Sequence, residues 1–158
     1  MSETFSLTVN GKVETVSAQP DTPLIYVLRN QLGLKGVRYG CGLEQCGCCT
    51  VLVDGVPAFA CSRAVETLAG ASVETIEGLG TTETPHPLQQ AFMDLQAGQC
   101  GYCLAGILMG AKALLAANPN PTRQDIVTTL DSHLCRCGAH TRIIAAIQLA
   151  AKVMGGSA

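Results

Sequence analysis

The stretch YGCGLEQCGCCT, residues 39–50, places four of the chain's nine cysteines within nine positions and separates them with glycines. Thiols at this density mark a bridge, a metal or a cluster. Gly36, Gly40, Gly42 and Gly47 suit a loop that must take positive φ angles and aim bare amides at sulfur. Upstream, TFSLTVNGKVETVSA (4–18) alternates Phe5, Leu7 and Val9, turns at Asn10-Gly11 and resumes with Val13 and Val16, a strand–hairpin–strand pattern. Pro23 then opens a short predicted helix carrying Leu24, Val27 and Leu28, with Asp21 or Thr22 as its cap. Downstream, TVLVDGVPAFAC (50–61) reads as a second hairpin about Asp54-Gly55, and ASVETIEGL (71–79) as a last strand. Strands around one helix and a ligand loop make a small α+β domain over residues 1–78.

From GTTETPHP onward the composition changes. Pro85 and Pro87 punctuate a linker over 79–86, and residues 87–158 are rich in Ala, Leu, Ile and Met without strand alternation. Four helices are predicted near 87–96, 102–117, 122–131 and 139–154, so the second domain is all-α. The GGSA ending is expected to fray. This half has its own thiols, Cys100-x2-Cys103 and Cys135-x-Cys137, with 31 residues between the pairs. Both pairs fall at predicted helix N-termini, where free N–H groups and the positive dipole end favour anionic thiolates.

The bulk composition excludes several classes. The 158 residues are 47% hydrophobic, enough for a core, while a net charge of −2 with ten scattered Lys and Arg leaves no nucleic-acid footprint. No run approaches the ~18 apolar residues of a membrane span, so no direct membrane insertion is expected. The N-terminus reads as neither an export signal nor a twin-arginine leader, which points to the cytoplasm, where nine cysteines argue for metal over disulfides.

Cys41, Cys46 and Cys49 form C-x4-C-x2-C, and Cys61 follows after eleven residues, the plant-type [2Fe-2S] ferredoxin spacing. Cys100, Cys103, Cys135 and Cys137 supply four further ligands for a second cluster clamped between helix pairs. Cys48 is left over; it reads as a small buried side chain beside the cluster, the alternative being a redox-active thiol. Four-cysteine zinc knuckles compete for the whole set, but the x4 spacing, the isolated Cys61 and the C-x-C pair fit them poorly. His133 and His140 flank the last ligand pair and read as satisfied or interface histidines, His86 as a turn residue, and Phe92 and Tyr102 as core aromatics, Tyr102 with the further option of packing over the cluster.

Taken in order, YGCGLEQCGCCTVLVDG, ACSRAVETLAG, IEGL, HPLQQAF, QCGYCLAGILM and LCRCG resemble the small iron–sulfur subunit of the molybdenum hydroxylase (xanthine oxidase-like) family over nearly the whole chain. The ending CRCGAHTRIIAAI is most similar to the small subunits of bacterial nicotinate dehydrogenase and isoquinoline 1-oxidoreductase, and of related membrane-linked aldehyde dehydrogenases. Many relatives read Asn-Leu-Cys-Arg-Cys-Thr-Gly-Tyr where this chain has His133, Leu134, Cys135, Arg136, Cys137, Gly138, Ala139 and His140.

The resemblance implies a β-grasp, ferredoxin-like domain followed by a four-helix [2Fe-2S] domain. It also implies a large partner subunit holding molybdopterin cytosine dinucleotide, and electron flow first to the helical-domain cluster and then to the ferredoxin-like one. The outside acceptor would be a cytochrome c subunit or a flavin subunit. Gln99 matches the family position that hydrogen-bonds the pterin, and Cys137 lies near that edge by the same likeness. An N-heterocycle such as nicotinate or isoquinoline is the implied substrate class. The alternatives are the same role in an aldehyde or carbon monoxide dehydrogenase-type complex, or a free-standing ferredoxin-like carrier. Export with a large subunit, to a periplasmic or membrane-associated site, is the alternative to the cytoplasm.

Overall fold

A computed structural model describes residues 1–155; residues 156–158 of the GGSA ending, and with them the expectation of fraying, lie outside the described residues. Strands β1 (Glu3–Val9) and β2 (Lys12–Ala18) pair antiparallel in the register Glu3↔Ala18 to Val9↔Lys12. Their turn places Asn10 at φ 50° and Gly11 at φ 77°, and the second hairpin places Asp54 at 51° and Gly55 at 80°. Both central residues are thus left-handed, as the two-residue turn that matches strand twist requires.

Strands β3 (Thr50–Val53), β4 (Val56–Phe59) and β5 (Ser72–Glu74) complete a sheet of order β2-β1-β5-β3-β4, in which β1 and β5 run parallel and the other pairs antiparallel. Leu7, Val9, Val16, Val51 and Val73 bury one face. Val13 does not share that face. It lies three residues from Val16, and an odd separation in a strand points the side chain to the opposite side, where it is exposed.

Helix α1 (Leu24–Tyr26) runs on into a wider π-helical turn, Val27–Gln31. Contrary to the sequence expectation, Pro23 is the residue before the helix and no side chain caps it. The N–H groups of Leu24 and Ile25 instead donate to the carbonyls of Arg63 and Ala60 (2.8 and 2.9 Å), so the chain around Cys61 does the capping.

The helical half comprises α2 (Pro87–Asp94), α3 (Leu104–Ala117), α4 (Arg123–Leu130) and α5 (His140–Gly155). His86 is more than a turn residue. Its Nδ1 accepts from the Leu88 amide while Gln89 Oε1 accepts the His86 amide, which closes a capping box on α2. Thr122 and Asp125 make the same reciprocal arrangement on α4. Removing that hydroxyl in Thr122→Ala should lower unfolding stability by about 1 kcal/mol in denaturant titration.

Helix α3 is apolar nearly all round because it is enclosed. It packs on α2 and α4, and also on β3 of the sheet. A Lys112–Glu74 ion pair joins it to β5. Cys48, from the sheet-domain loop, belongs to the helical core together with Cys103, Ile107 and Ile143. The two cores are therefore seamed together where the thiols lie. No helix among the described residues is long and apolar enough to cross a membrane.

Candidate metal centres

Residues 35–49 carry no regular structure, and their amides turn inward on sulfur. The Leu43 and Gln45 N–H groups each donate to Cys41 Sγ at 3.3 Å, and the Cys41 N–H donates to Cys46 Sγ at 3.3 Å. The Leu43 amide, followed by those of Gln45 and Cys46, lowers the Cys41 thiol to about 7 against an opposing desolvation cost. Cys49 lies deeper, with Cys61 as its neighbour, and burial pushes it up to about 12.

The second set repeats this division. Cys100 is exposed and held below the usual thiol range by the Tyr102 amide and by the Cys137 thiol beside it. Cys103 occupies the N-cap position of α3, touches Cys135, and is pushed by burial to about 12. The eight predicted ligands thus meet as four neighbouring pairs, Cys41 with Cys46, Cys49 with Cys61, Cys100 with Cys137 and Cys103 with Cys135.

Paired thiols suit a two-iron group, which takes two ligands on each iron. A single zinc ion needs four ligands on one tetrahedron. Among the described residues no three His, Cys, Asp or Glu side chains gather tightly enough to hold one ion. Thiols buried as deeply as Cys49 and Cys103 stay protonated at neutral pH unless a cation displaces the proton. The donor chemistry therefore fits iron–sulfur groups at both sets.

Cys48, the ninth thiol, is buried, and burial raises it to about 12. With Cys41, Cys46, Cys100 and Cys103 it lines one cavity of about 300 Å³, so both thiol sets open onto a shared space. Arg136, between two of the predicted ligands, is exposed on the wall of that cavity.

Tyr102 is not the core aromatic the sequence suggested. It is 46% exposed, its hydroxyl donates to the Tyr39 carbonyl at 2.6 Å, and the Arg38 guanidinium stands 5.7 Å from its ring centre. Phe92 is buried as expected. Gln99 is exposed where two surface hollows of about 510 and 250 Å³ meet; both are also lined by Gln96 and Arg142, and Gly138, the residue after Cys137, lines the smaller.

The ring nitrogens of His133 and His140 turn to oxygen partners. His140 Nε2 donates to the His133 carbonyl at 3.0 Å. His133 is 6% exposed, and burial holds its pKa below the usual value, so the ring is neutral near pH 7.

Composition alone did not single out Thr50, Gly106 or Leu134, yet these make the seam between the sets. The Leu134 amide donates to the Cys46 carbonyl at 3.0 Å, which joins the residue beside Cys135 to a thiol residue of the other set. The glycine pair Gly106 and Gly110, one helical turn apart, was the available signal that α3 meets something closely.

Family models for a 2Fe-2S iron–sulfur cluster binding domain and a [2Fe-2S] binding domain match residues 7–72 and 75–148. The chain is 52% identical to a nicotinate dehydrogenase subunit of Pseudomonas putida over 96% of its own length and 97% of the relative's. It is 46% identical to the alpha subunit of isoquinoline 1-oxidoreductase of Brevundimonas diminuta, over 91% of this chain and 95% of that one. The crystal structure of an aldehyde oxidoreductase from Desulfovibrio desulfuricans superimposes on 98% of the chain with a TM-score of 0.94 and 39% identity, and the match covers 17% of that larger chain.

Proposed function

The chain belongs to the small iron–sulfur subunits of the molybdenum hydroxylase (xanthine oxidase-like) family. From that premise we propose that it connects a molybdopterin site on a large partner subunit to an electron acceptor outside it. Cys41, Cys46, Cys49 and Cys61 hold one [2Fe-2S] group, and Cys100, Cys103, Cys135 and Cys137 hold the other. When bound, each group supplies a one-electron carrier whose potential follows hydrogen bonding and exposure at its sulfurs. Hydroxylation of a substrate carbon by water releases two electrons and two protons, so two such carriers in one chain match one turnover.

The observation that carries this reading is the seam. Two thiol sets share one cavity, and a backbone hydrogen bond from Leu134 to Cys46 joins their ligand segments. The amides of Leu43 and Gln45 stabilise negative charge on Cys41, and those of the 100–103 turn do the same for Cys100. Cys41 and Cys100 are the exposed thiols of the two sets, and both line the shared cavity.

Gln99, whose amide both donates and accepts, is proposed to meet the partner's pterin, a molybdopterin cytosine dinucleotide, with Cys137 close to the same edge. That orders the sets, the helical one nearer molybdenum and the ferredoxin-like one nearer the acceptor. An N-heterocyclic acid such as nicotinate is the proposed substrate and a cytochrome c or flavin subunit the proposed acceptor, with the complex working in the cytoplasm.

The test is iron and acid-labile sulfide on anaerobically purified complex, followed by low-temperature EPR after dithionite reduction. About four irons per chain and two distinct rhombic signals are expected. Zinc with no signal would overturn the reading.

A further inference from the structure

We infer that His133 is a positioning residue that sets the distance between the two [2Fe-2S] groups, acting as a key inserted from the helical domain into the ligand loop of the sheet domain. This rests on the electron-transfer reading above and adds the device that holds its two centres in register.

The ring occupies a slot shaped for it. At Gly47 an added Cβ would lie 2.6 Å from the imidazole Cδ2, and at Gly110 it would lie 3.0 Å from Cε1 and Nε2. Glycine on both sides lets a flat ring sit between the ligand loop and helix α3 without a gap. Its polar atoms then tie three elements together. Nδ1 stands 3.2 Å from the Thr129 carbonyl in α4, and Nε2 stands 3.2 Å from Thr50 Oγ1 at the start of β3.

The Thr50 hydroxyl has one hydrogen, which it gives to the Gly47 carbonyl at 2.8 Å, while its oxygen stays within hydrogen-bond distance of Nε2. Thr50 is 2% exposed and its hydroxyl has no route to water, so losing the ring would leave it a partner only within its own loop.

The placement gives the pair its consequence. Thr50 directly follows Cys49, and His133 precedes Cys135 by two residues, so each partner is tied through a few bonds to a ligand of a different set. Beside them the Leu134–Cys46 backbone bond supplies a second tie. A backbone hydrogen bond alone leaves the two loops free to pivot about it. The imidazole contact, offset from it and held in a glycine slot beside the close approach of Gly106 to Gly47, restricts that freedom further.

The experiment uses the complete complex carrying Thr50→Val, Thr50→Ser or His133→Ala. For each, iron is counted and the magnetic splitting between the two reduced centres is read by low-temperature EPR. Thr50→Val removes the hydroxyl at nearly constant volume, and Thr50→Ser keeps it.

The expected result is wild-type iron content in Thr50→Val with a narrowed or lost splitting, and a wild-type splitting in Thr50→Ser. His133→Ala is expected to lose the splitting at least as fully. Unchanged splitting in Thr50→Val at full iron content would overturn the inference. Loss of a centre in Thr50→Val would also overturn it, because the pair would then serve to retain a centre and not to space two. Absence of two signals in the unaltered complex would instead sink the parent reading.

Discussion

Replacing Cys103 by Ser is expected to cut iron from about four to about two per chain and to remove one of the two rhombic signals while leaving the other intact. Cys103 is 7% exposed at the N-cap of α3, with Cys135 as its neighbour. A hydroxyl there is a harder, less readily ionised donor than a thiolate. The complex should then lose turnover entirely, since its electrons would have no first acceptor beside the large subunit.

Cys49→Ser should remove the other signal and also stop turnover with the physiological acceptor, while the helical-domain centre stays reducible by substrate. That contrast tests the order of the centres. Full turnover of the Cys49 variant with its own acceptor would show the order to be wrong.

The second large effect is expected at Gly106→Ala. In an ordinary helix interior this exchange stabilises by about 1 kcal/mol. Here the added Cβ would lie 1.9 Å from the Gly47 carbonyl oxygen and 2.9 Å from its carbon. Those atoms are backbone of the ligand loop and cannot rotate away. Overpacking of about 1–3 kcal/mol or more opposes the helix gain and exceeds it. The melting temperature should fall by several degrees, and the two thiol sets should separate.

Gly110→Ala is the milder comparison. Its Cβ would meet only the edge of the His133 ring, at 3.0 Å, so a much smaller displacement is needed than at Gly106. A Gly106 variant that melts at or above the wild-type temperature would show that α3 and the ligand loop are not in rigid contact.

Much of this architecture is written locally. Asn10-Gly11 and Asp54-Gly55 announced their turns because only residues tolerant of positive φ close two-residue hairpins cheaply. The starts and ends of α2 to α5 followed Pro87, Thr122, Asn118 and the apolar periodicity, all of which act within a few residues. The cysteine spacings and the order of motifs, which carried the family resemblance, are likewise one-dimensional.

Other features were illegible for a physical reason. Asp21 and Thr22 looked like helix caps, but the carbonyls of Ala60 and Arg63, some forty residues away, took that role. Tyr102 looked like a core residue because aromatic composition says nothing about which way a loop turns; its hydroxyl instead reaches a carbonyl 63 positions back. His86 looked like a turn residue, and only the reciprocal bond with Gln89 made it a cap.

By itself the sequence determined the two domains' classes, the hairpins, the helices and a nine-thiol inventory in two spaced groups, since turn sterics, capping and periodicity depend on near neighbours. The tertiary structure alone decided which thiols become neighbours and how the groups face each other. The Cys49–Cys61 and Cys103–Cys135 pairs, the His133 slot and the contact of Gly106 with Gly47 all join distant segments. Such contacts follow from close packing of whole surfaces, in which one methyl group decides whether two backbones can meet.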